Sequence, residues 1–176
     1  ALTRVAGEDV GLYNITLGTL ATTNATNYNV SYTAGVTFEI LGTAITITAD
    51  AGQTKVYGNA NPVYTYTVTD GALAPGDSWD GELARAAGEN VGTYAINQGT
   101  LAIVPGGANY TITFVSDDFE ITERPITITA DDKTKTYGAA DPAFTRTINS
   151  GSLAGTDSWT GSMTRVDGED VGPYAI

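Results

Sequence analysis

The sequence predicts an all-β protein with little helix, built from tandem modules of about 80 residues. The phrase "GEDVGLY" at 7–13 returns as "GENVGTY" at 88–94 and as "GEDVGPY" at 168–174, at spacings of 81 and then 80 residues. Between these phrases apolar and polar residues alternate with period two, and no segment keeps an apolar stripe of helical period. We therefore expect small β-sandwich or β-grasp-like modules arranged as beads in an elongated array.

The copies share one register along the whole chain. Residues 45–81 match 126–161, and residues 1–15 match both 82–96 and 162–176. This register predicts three parts: the C-terminal part of a first repeat (1–43), a complete middle repeat (44–123) and the N-terminal part of a third repeat (124–176). Residues 124–125, "RP", are expected to be a short joint between repeats. We expect the chain to be a piece of a longer array.

Individual strands are predicted from local alternation. "AITITAD" at 44–50, "VYTYTVTD" at 63–70 and "NYTITFV" at 109–115 are rich in β-branched and aromatic residues and alternate in polarity. Glycine, proline, asparagine and aspartate mark the turns between them. The best helix candidates are single turns at 73–77 and 153–157. This pattern predicts six or seven short strands per repeat.

The composition excludes several classes of function. The chain has 20 acidic and 8 basic residues, a net charge of −12, so a nucleic-acid partner is not expected. It has no cysteine, which excludes disulfides and thiolate metal sites, and no histidine, which removes the commonest metal ligand and general base. No apolar run has the length of a bilayer-crossing helix, so no membrane insertion is expected in this segment.

The repeated phrase is interpreted as the corner of a β-hairpin, with its tyrosine ring in the core and the hydroxyl on a backbone partner. Its second glycine is expected to let the chain pass close to another backbone. The functional alternative is calcium, since the phrase places oxygen ligands beside flexible glycines at Glu89, Asn90, Glu169 and Asp170. These residues lack the regular spacing of a calcium loop, so no cofactor is predicted and calcium is kept as the alternative.

Two further residue types recur and allow two interpretations each. Trp79 and Trp159 are expected in the core, capped by Asp77 and Asp157, whereas an exposed tryptophan could stack on a sugar ring. Lys55 and Lys135 are expected to extend from a strand edge and protect it from aggregation. The alternative for Lys55 is an intramolecular isopeptide bond with Asn109, with Glu120 as the nearby carboxylate.

Taken together, "KxYG", "GDSW", "R..GE.VG.YAI" and "NYTITFV…FEI" resemble the MBG/YDG-type tandem repeats of large bacterial surface adhesins and filamentous-haemagglutinin-like proteins. The resemblance covers the whole chain. It implies β-rich modules exported to the bacterial cell surface or a secreted filament, and it implies no catalytic residues. The residues that carry it are expected to be structural: Tyr57, Gly58, Trp79, Arg85, Gly88, Gly92, Tyr94, Tyr137, Gly138, Trp159, Arg165, Gly168, Gly172 and Tyr174.

The resemblance and the repetition together favour a spacer module in the stalk or fibre of a long extracellular protein, with neighbouring repeats as its partners. The alternative is a binding module that contacts a glycan, calcium or a partner chain. One form of that alternative is a filament, in which the incomplete end repeats of two chains complement each other. An enzyme is not expected, because no acid–base or nucleophile motif stands out from the turns and strands.

Overall fold

A computed structural model covers residues 1–176 and shows a protein made almost entirely of β-strands. The only helical segments are two short 3₁₀ turns at Ala25–Asn27 and Gly107–Asn109, and no helix has the length and apolar character that crossing a bilayer requires. The all-β prediction is confirmed. The strands are β1 (Thr3–Arg4), β2 (Gly11–Thr16), β3 (Thr37–Ile40), β4 (Thr43–Ala49), β5 (Gln53–Val56), β6 (Tyr66–Asp70), β7 (Ser78–Asp80), β8 (Ala84–Arg85), β9 (Gly92–Asn97), β10 (Ala102–Val104), β11 (Tyr110–Val115), β12 (Asp118–Thr122), β13 (Thr127–Ala130) and β14 (Arg146–Ser150).

The middle repeat contains three sheets, with strand orders β11-β4-β6, β5-β12-β9-β8 and β10-β7. In the first of these, β4 is central: β11 pairs with it in parallel from Tyr110 opposite Thr43 to Val115 opposite Thr48, and β6 pairs with it antiparallel. The parallel pair joins the start of the repeat to a segment near its end.

Strand β4 shows why this sequence becomes a strand. Its residues "TAITITA" alternate, and Ile45, Ile47 and Ala49 are buried while the intervening threonines are partly or fully exposed. β-branched residues suit the extended backbone, and burial of one face fixes the register of the strand.

The hydrophobic core belongs to the middle repeat. All nine buried apolar residues lie between residues 45 and 121, and the largest fully buried side chains are those of Phe119, Ile45, Ile47, Ile96 and Ile121. Full burial of such side chains stabilises a fold by about 1.5–3 kcal/mol each relative to exposure. One complete repeat thus carries its own core.

The flanking repeats reproduce parts of this arrangement. Strands β1, β2 and β3 form an antiparallel sheet equivalent to β8, β9 and β12, and β13 pairs antiparallel with β14 as β4 does with β6. Their apolar residues are less buried: Ile128 is 43% exposed, whereas Ile47 at the equivalent position is 0% exposed. The same sequence therefore forms the same strand pairs without burying the same surface.

The chain divides into two compact units whose bounds cut across the repeats. The first comprises 1–53, 63–87 and 94–119, and the second comprises 54–62, 88–93 and 120–176. The repeat boundaries at 43/44 and 123/124 follow the periodicity of the sequence and stay a prediction.

Two local predictions are wrong. The segments 73–77 and 153–157 are not helical: each closes a single turn, in which the amide of Asp77 or Asp157 donates to the carbonyl of Ala74 or Ala154. The middle repeat has nine strands rather than six or seven, because it includes strands of only two or three residues, such as β7, β8 and β10, which are too short for alternation to mark.

Tyr64 provides a test of core packing. Its ring contacts Phe119 edge-on at 5.2 Å between centroids, and its hydroxyl is buried with no hydrogen-bond partner. The equivalent residue in the third repeat is Phe144. Because an unsatisfied buried hydroxyl costs about 1–3 kcal/mol, we expect Tyr64→Phe to leave the free energy of unfolding unchanged or to raise it. Urea unfolding followed by circular dichroism measures this.

The matched control is Phe119→Ala, which should lower the free energy of unfolding by about 3–5 kcal/mol through the cavity it creates. A loss of stability in Tyr64→Phe as large as that of the control would show that the hydroxyl has a partner in solution.

Candidate functional site: an arginine-centred loop in each repeat

The repeated phrase forms the loop of a β-hairpin, as predicted. It connects β1 to β2 in the first repeat and β8 to β9 in the middle repeat, with the flanking strands antiparallel at Arg4 opposite Ile15 and Arg85 opposite Ile96. The arginine that ends the first strand of each hairpin organises the loop. We use the name arginine-centred loop for four residues of each repeat. They are this arginine and the first glycine, the glutamate and the tyrosine of the phrase.

The arginine holds the loop by donating to its backbone. In the third repeat, Arg165 Nη1 donates to the carbonyl of Val166 at 2.9 Å and to that of Gly168 at 2.5 Å, and Nη2 pairs with Glu169 Oε1 at 2.6 Å. In the first repeat, Arg4 donates to Val5 and Gly7 and pairs with Glu8 in the same way. A guanidinium suits this task because its donors form a planar fork.

The same guanidinium lies over aromatic rings. Arg4 is 5.1 Å from the ring centroid of Tyr13 and 5.2 Å from that of Phe38. Arg85 repeats this arrangement with Tyr94 at 4.9 Å and Phe119 at 5.4 Å. Each cation–π contact contributes about 0.5–1 kcal/mol. The arginine therefore connects the loop to the strand that follows it and to the strand carrying the "FEI" sequence.

The tyrosine of the phrase closes the loop from the other side. Tyr13 donates its hydroxyl to the carbonyl of Asp9 at 2.7 Å, and Tyr174 donates to that of Asp170 at 3.0 Å. The backbone partner for the hydroxyl is as predicted. The ring is half-buried rather than in the core, because it lies between the arginine and the loop glycine.

The first glycine of the phrase is required by this packing. Gly7 has φ of 151°, and a Cβ atom there would lie 2.2 Å from Cε1 of the Tyr13 ring; Gly168 and Tyr174 repeat the contact at 2.3 Å. The second glycine differs: a Cβ at Gly11 or Gly92 would meet nothing within 4 Å, so the predicted close approach to another backbone there is wrong. Those two glycines are explained by their φ values, 152° and 149°.

A lysine from the preceding "KxYG" element reaches the glutamate of the same loop. Lys55 Nζ pairs with Glu89, and Lys135 Nζ pairs with Glu169 at 2.6 Å, each across 34 residues. In the third repeat, Asp141 completes a four-member ion network with Lys135 at 2.7 Å and Arg165 at 2.8 Å. The two most specific parts of the repeat signature are thus one cluster in space.

The network shifts the titration of its members. Hydrogen bonds from Lys135 first, and then from Arg165, hold the pKa of both Asp141 and Glu169 below their ordinary values of 3.8 and 4.5. Hydrogen bonds to Asp141 first, and then to Glu169, raise the pKa of Lys135 above 10.5. All three groups are therefore charged at neutral pH, where each stabilises the others.

Two of the four residues named as calcium candidates, Glu89 and Glu169, are ion-pair partners. Glu89 and Glu169 face the lysines, and the Asp170 backbone carbonyl accepts from Tyr174. Asn90 lies in the hairpin loop between β8 and β9. No group of three or more acidic side chains converges in a way that could hold a metal ion.

Lys55 does not extend from a strand edge into solvent as expected. Its side chain is 4% exposed, because it lies on β5 with its ammonium group against Glu89. Asn109 uses its amide elsewhere: Nδ2 donates to Asp9 at 3.0 Å, and Oδ1 accepts from the amide of Val10 at 2.8 Å. Glu120 is exposed on β12. The isopeptide bond remains a prediction, which the loss of one ammonia from the intact mass would reveal.

The tryptophans are not in the core as expected. Trp79 is half-buried with its ring edge-on to Tyr66 at 5.8 Å, and Trp159 is 42% exposed with Arg146 4.5 Å above its ring. Arg146 occupies the position of Tyr66 in the third repeat, so the pairing is kept while its chemistry changes. The carboxylate of Asp77 accepts one hydrogen bond from the amide of Gly106 at 3.2 Å and another from the hydroxyl of Tyr110.

A cavity of about 610 Å³ lies in the third repeat beside the ion network, lined by residues of 132–144 and 165–176. Its walls are equivalent to β5 and β9, which in the middle repeat have β12 between them. We do not assign a ligand to this space because a strand occupies the equivalent one.

The three arginine-centred loops fall within the segments that match a known family. The family model described as MBG domain (YGX type) matches residues 1–38, 45–120 and 126–176. The chain belongs to the MBG domain family, YGX type. No curated protein and no solved structure matches it. This match confirms the resemblance to MBG-type repeats drawn from the sequence. The family suggests a module of surface, adhesin-like proteins.

The dipeptide "YG" occurs twice in the chain, at Tyr57 and Gly58 in the middle MBG repeat and at Tyr137 and Gly138 in the third, and we take these residues as the tyrosine and glycine of the YGX signature. Sequence reasoning found these residues but missed the role of Arg85 and Arg165, and it did not select Asp141. Two signals could have found the cluster: the arginine and glutamate are four residues apart in each repeat, and the lysine precedes the glutamate by 34 residues both times.

The glycine packing can be tested within the first MBG repeat. Gly7→Ala and Gly11→Ala place a side chain at nearly equal φ, but only Gly7→Ala drives it into Tyr13. We expect Gly11→Ala to cost about 1–3 kcal/mol of local stability from backbone strain, and Gly7→Ala to cost more. Hydrogen exchange of the β2 amides measures both. Equal exchange rates in the two variants would contradict the proposed contact with the tyrosine ring.

The ion network predicts how stability depends on pH. Since the folded pKa of Asp141 and Glu169 is lowered, their contribution is present above 4.5 and is lost as pH falls through the folded values. The raised pKa of Lys135 adds stability below 10.5 that is lost as pH rises through its folded value. We expect the melting temperature of the third MBG repeat to fall in acid and at high alkaline pH.

Trp159 fluorescence in a Trp79→Phe background reports this repeat. In Glu169→Gln the melting temperature should fall less steeply with decreasing pH than in the parent chain. Glu123→Gln removes an exposed carboxylate outside the network and should leave the pH dependence unchanged. The same fall of melting temperature in acid in Glu169→Gln and in the parent would contradict a role for the network.

Proposed function

We propose that the chain is a structural module of a long, repetitive bacterial surface protein, located outside the cell, where its MBG repeats act as a spacer in a stalk or fibre. The observation that carries this proposal is the threefold recurrence of the arginine-centred loop. A spacer gains length from every added copy of a module, whereas a catalytic or binding site rarely requires a copy in each.

The chemistry of the cluster supports a structural rather than an enzymatic role. Its arginine, lysine and carboxylate groups pair with one another and with loop carbonyls, as Arg165, Glu169 and Lys135 show. A general acid or base needs a group poised to exchange a proton with a substrate, and these groups are held in their charged forms by their neighbours. The chain also contains no histidine or cysteine.

The spacer role predicts a specific increase in length. We would insert one additional copy of residues 44–123, in phase, into the full chain and measure the maximum dimension by small-angle X-ray scattering. A compact domain of 80 residues has a diameter of about 30 Å, so a spacer should lengthen by about that amount. A maximum dimension that barely changes, with the mass increased, would contradict the proposal.

A binding role is the second candidate, and Trp159 is the observation that favours it. Trp159 is 42% exposed, with the guanidinium of Arg146 4.5 Å from its ring centroid, and an exposed aromatic ring is a surface on which a sugar can stack. The test is the binding of labelled glycans by the full chain. Binding that is lost in Trp159→Ala and kept in Trp79→Ala would support this candidate. Absence of glycan binding would leave the spacer role alone.

Calcium and a partner chain are the other ligands to test. A melting temperature that rises with calcium and ceases to rise in Glu169→Gln would assign the acidic loops to metal binding.

Self-association has its own observation: large apolar side chains are exposed in the flanking repeats, among them Leu12 at 67% and Leu41 at 72%. Light scattering measures whether the molar mass rises with protein concentration. A rise that is smaller in Leu12→Ser would support filament formation by complementation between chains.

A further inference from the structure

The arginine of the predicted joint contacts both repeats that it connects. Arg124 Nε donates to the carbonyl of Ser152 at 2.7 Å, in the third repeat. Its Nη1 donates to the carbonyl of Tyr57 at 3.2 Å and to Asn59 Oδ1 at 3.1 Å, in the middle repeat. All four residues belong to the second compact unit. One side chain therefore ties two consecutive repeats to each other through charge-assisted hydrogen bonds.

The YGX signature of the middle repeat lies at this same contact. Tyr57 donates its hydroxyl to Asp157 at 3.0 Å, and this hydrogen bond raises the pKa of the tyrosine. Gly58 has φ of 82°, and a Cβ atom on it would lie 2.3 Å from the Cβ of Ala154. The signature glycine is needed here for two reasons: its backbone conformation, and the approach of the next repeat.

Gly138 separates these two reasons. It is the equivalent glycine of the third repeat and has nearly the same φ, 81°, yet a Cβ atom on it would meet nothing within 4 Å. The backbone conformation is thus a property of the repeat itself, while the close approach at Gly58 comes from the repeat that follows.

The first and middle repeats are joined by a different signature element. Asn109 of the middle repeat accepts from the amide of Val10 at 2.8 Å and donates to the carboxylate of Asp9 at 3.0 Å. Both partners lie in the "GEDVG" loop of the first repeat, and all three residues belong to the first compact unit. An asparagine that binds one backbone group and one side-chain group fixes the orientation of the loop it holds.

We propose that Tyr57, Gly58 and Arg124 form a docking surface for the 152–157 loop of the following repeat, so that the YGX signature sets the angle between consecutive repeats. The inference rests on the proposed spacer function and explains how its joints are held. The contact of Asn109 with the "GEDVG" loop holds the other joint, between the first and middle repeats. A joint held at several points, rather than by a flexible linker, limits bending.

Pulsed electron spin resonance tests this inference on the full chain. The chain contains no cysteine, so spin labels attach only at introduced sites. Val91→Cys in the middle repeat and Asp132→Cys in the third place labels at two exposed positions of the second compact unit. We expect one narrow distance distribution in the parent chain, and its loss to a broad one in Arg124→Met and in Gly58→Ala.

Gly138→Ala is the matched control, since it introduces the same strain at the same φ without the clash with Ala154, and its distribution should stay narrow. Circular dichroism of every variant shows whether the fold is retained, and Arg124→Lys shows whether charge alone suffices. A narrow distribution that no variant broadens overturns the docking surface and leaves the spacer function intact. A broad distribution in the parent overturns both the docking surface and a stiff spacer.

Discussion

The contact of one guanidinium group with the loop that follows it determines the local structure of every repeat. Arg4 and Arg85 end strands β1 and β8, and Arg165 lies at the equivalent position of the third repeat. Each donates to the carbonyl of the next residue. The bonds to Gly7 and Gly168 then turn the chain. Because a guanidinium has five donors and two faces, it can satisfy loop carbonyls at its edge while an aromatic ring covers its face. The glycine, glutamate and tyrosine of the phrase follow from that geometry.

Much of the fold could be predicted from the sequence because the signals are local. Strand β4 alternates in polarity over its last five residues, 45–49, and the loops contain the residues that turns require. The segments 73–77 and 153–157 are predicted to be helical because a single hydrogen-bonded turn and one turn of helix have similar composition. The parallel pairing of β4 with β11 depends on contacts 67 residues apart, which alternation does not report.

The candidate site was predicted only in part, for a related reason. Sequence reasoning selected the glycines and tyrosines of the phrase because their chemistry is tied to turns and strands. Lys55 is expected in solvent, since an isolated lysine in a strand usually lies there. Its burial depends on the pair with Glu89, which lies in a loop 34 residues away. The core position expected for Trp159 assumes the same environment in both repeats, whereas in the third repeat Arg146 lies over its ring at the position that Tyr66 has in the middle repeat.

The parallel pair of β11 with β4 has a consequence for how such a chain acquires its structure. A polypeptide is synthesised from its N-terminus, so Thr43–Ala49 is exposed long before Tyr110–Val115 becomes available. The central sheet of a repeat therefore cannot be completed until nearly all of that repeat has been synthesised. Until then, β4 can pair with β6 on one side only, and its other edge stays open. The sequence "TITA" of β4 recurs in β13, so β4 has a near-identical competitor for its partner strand in the next repeat. Because β4 is synthesised first, the order of synthesis favours pairing within one repeat over exchange of strands between neighbouring repeats.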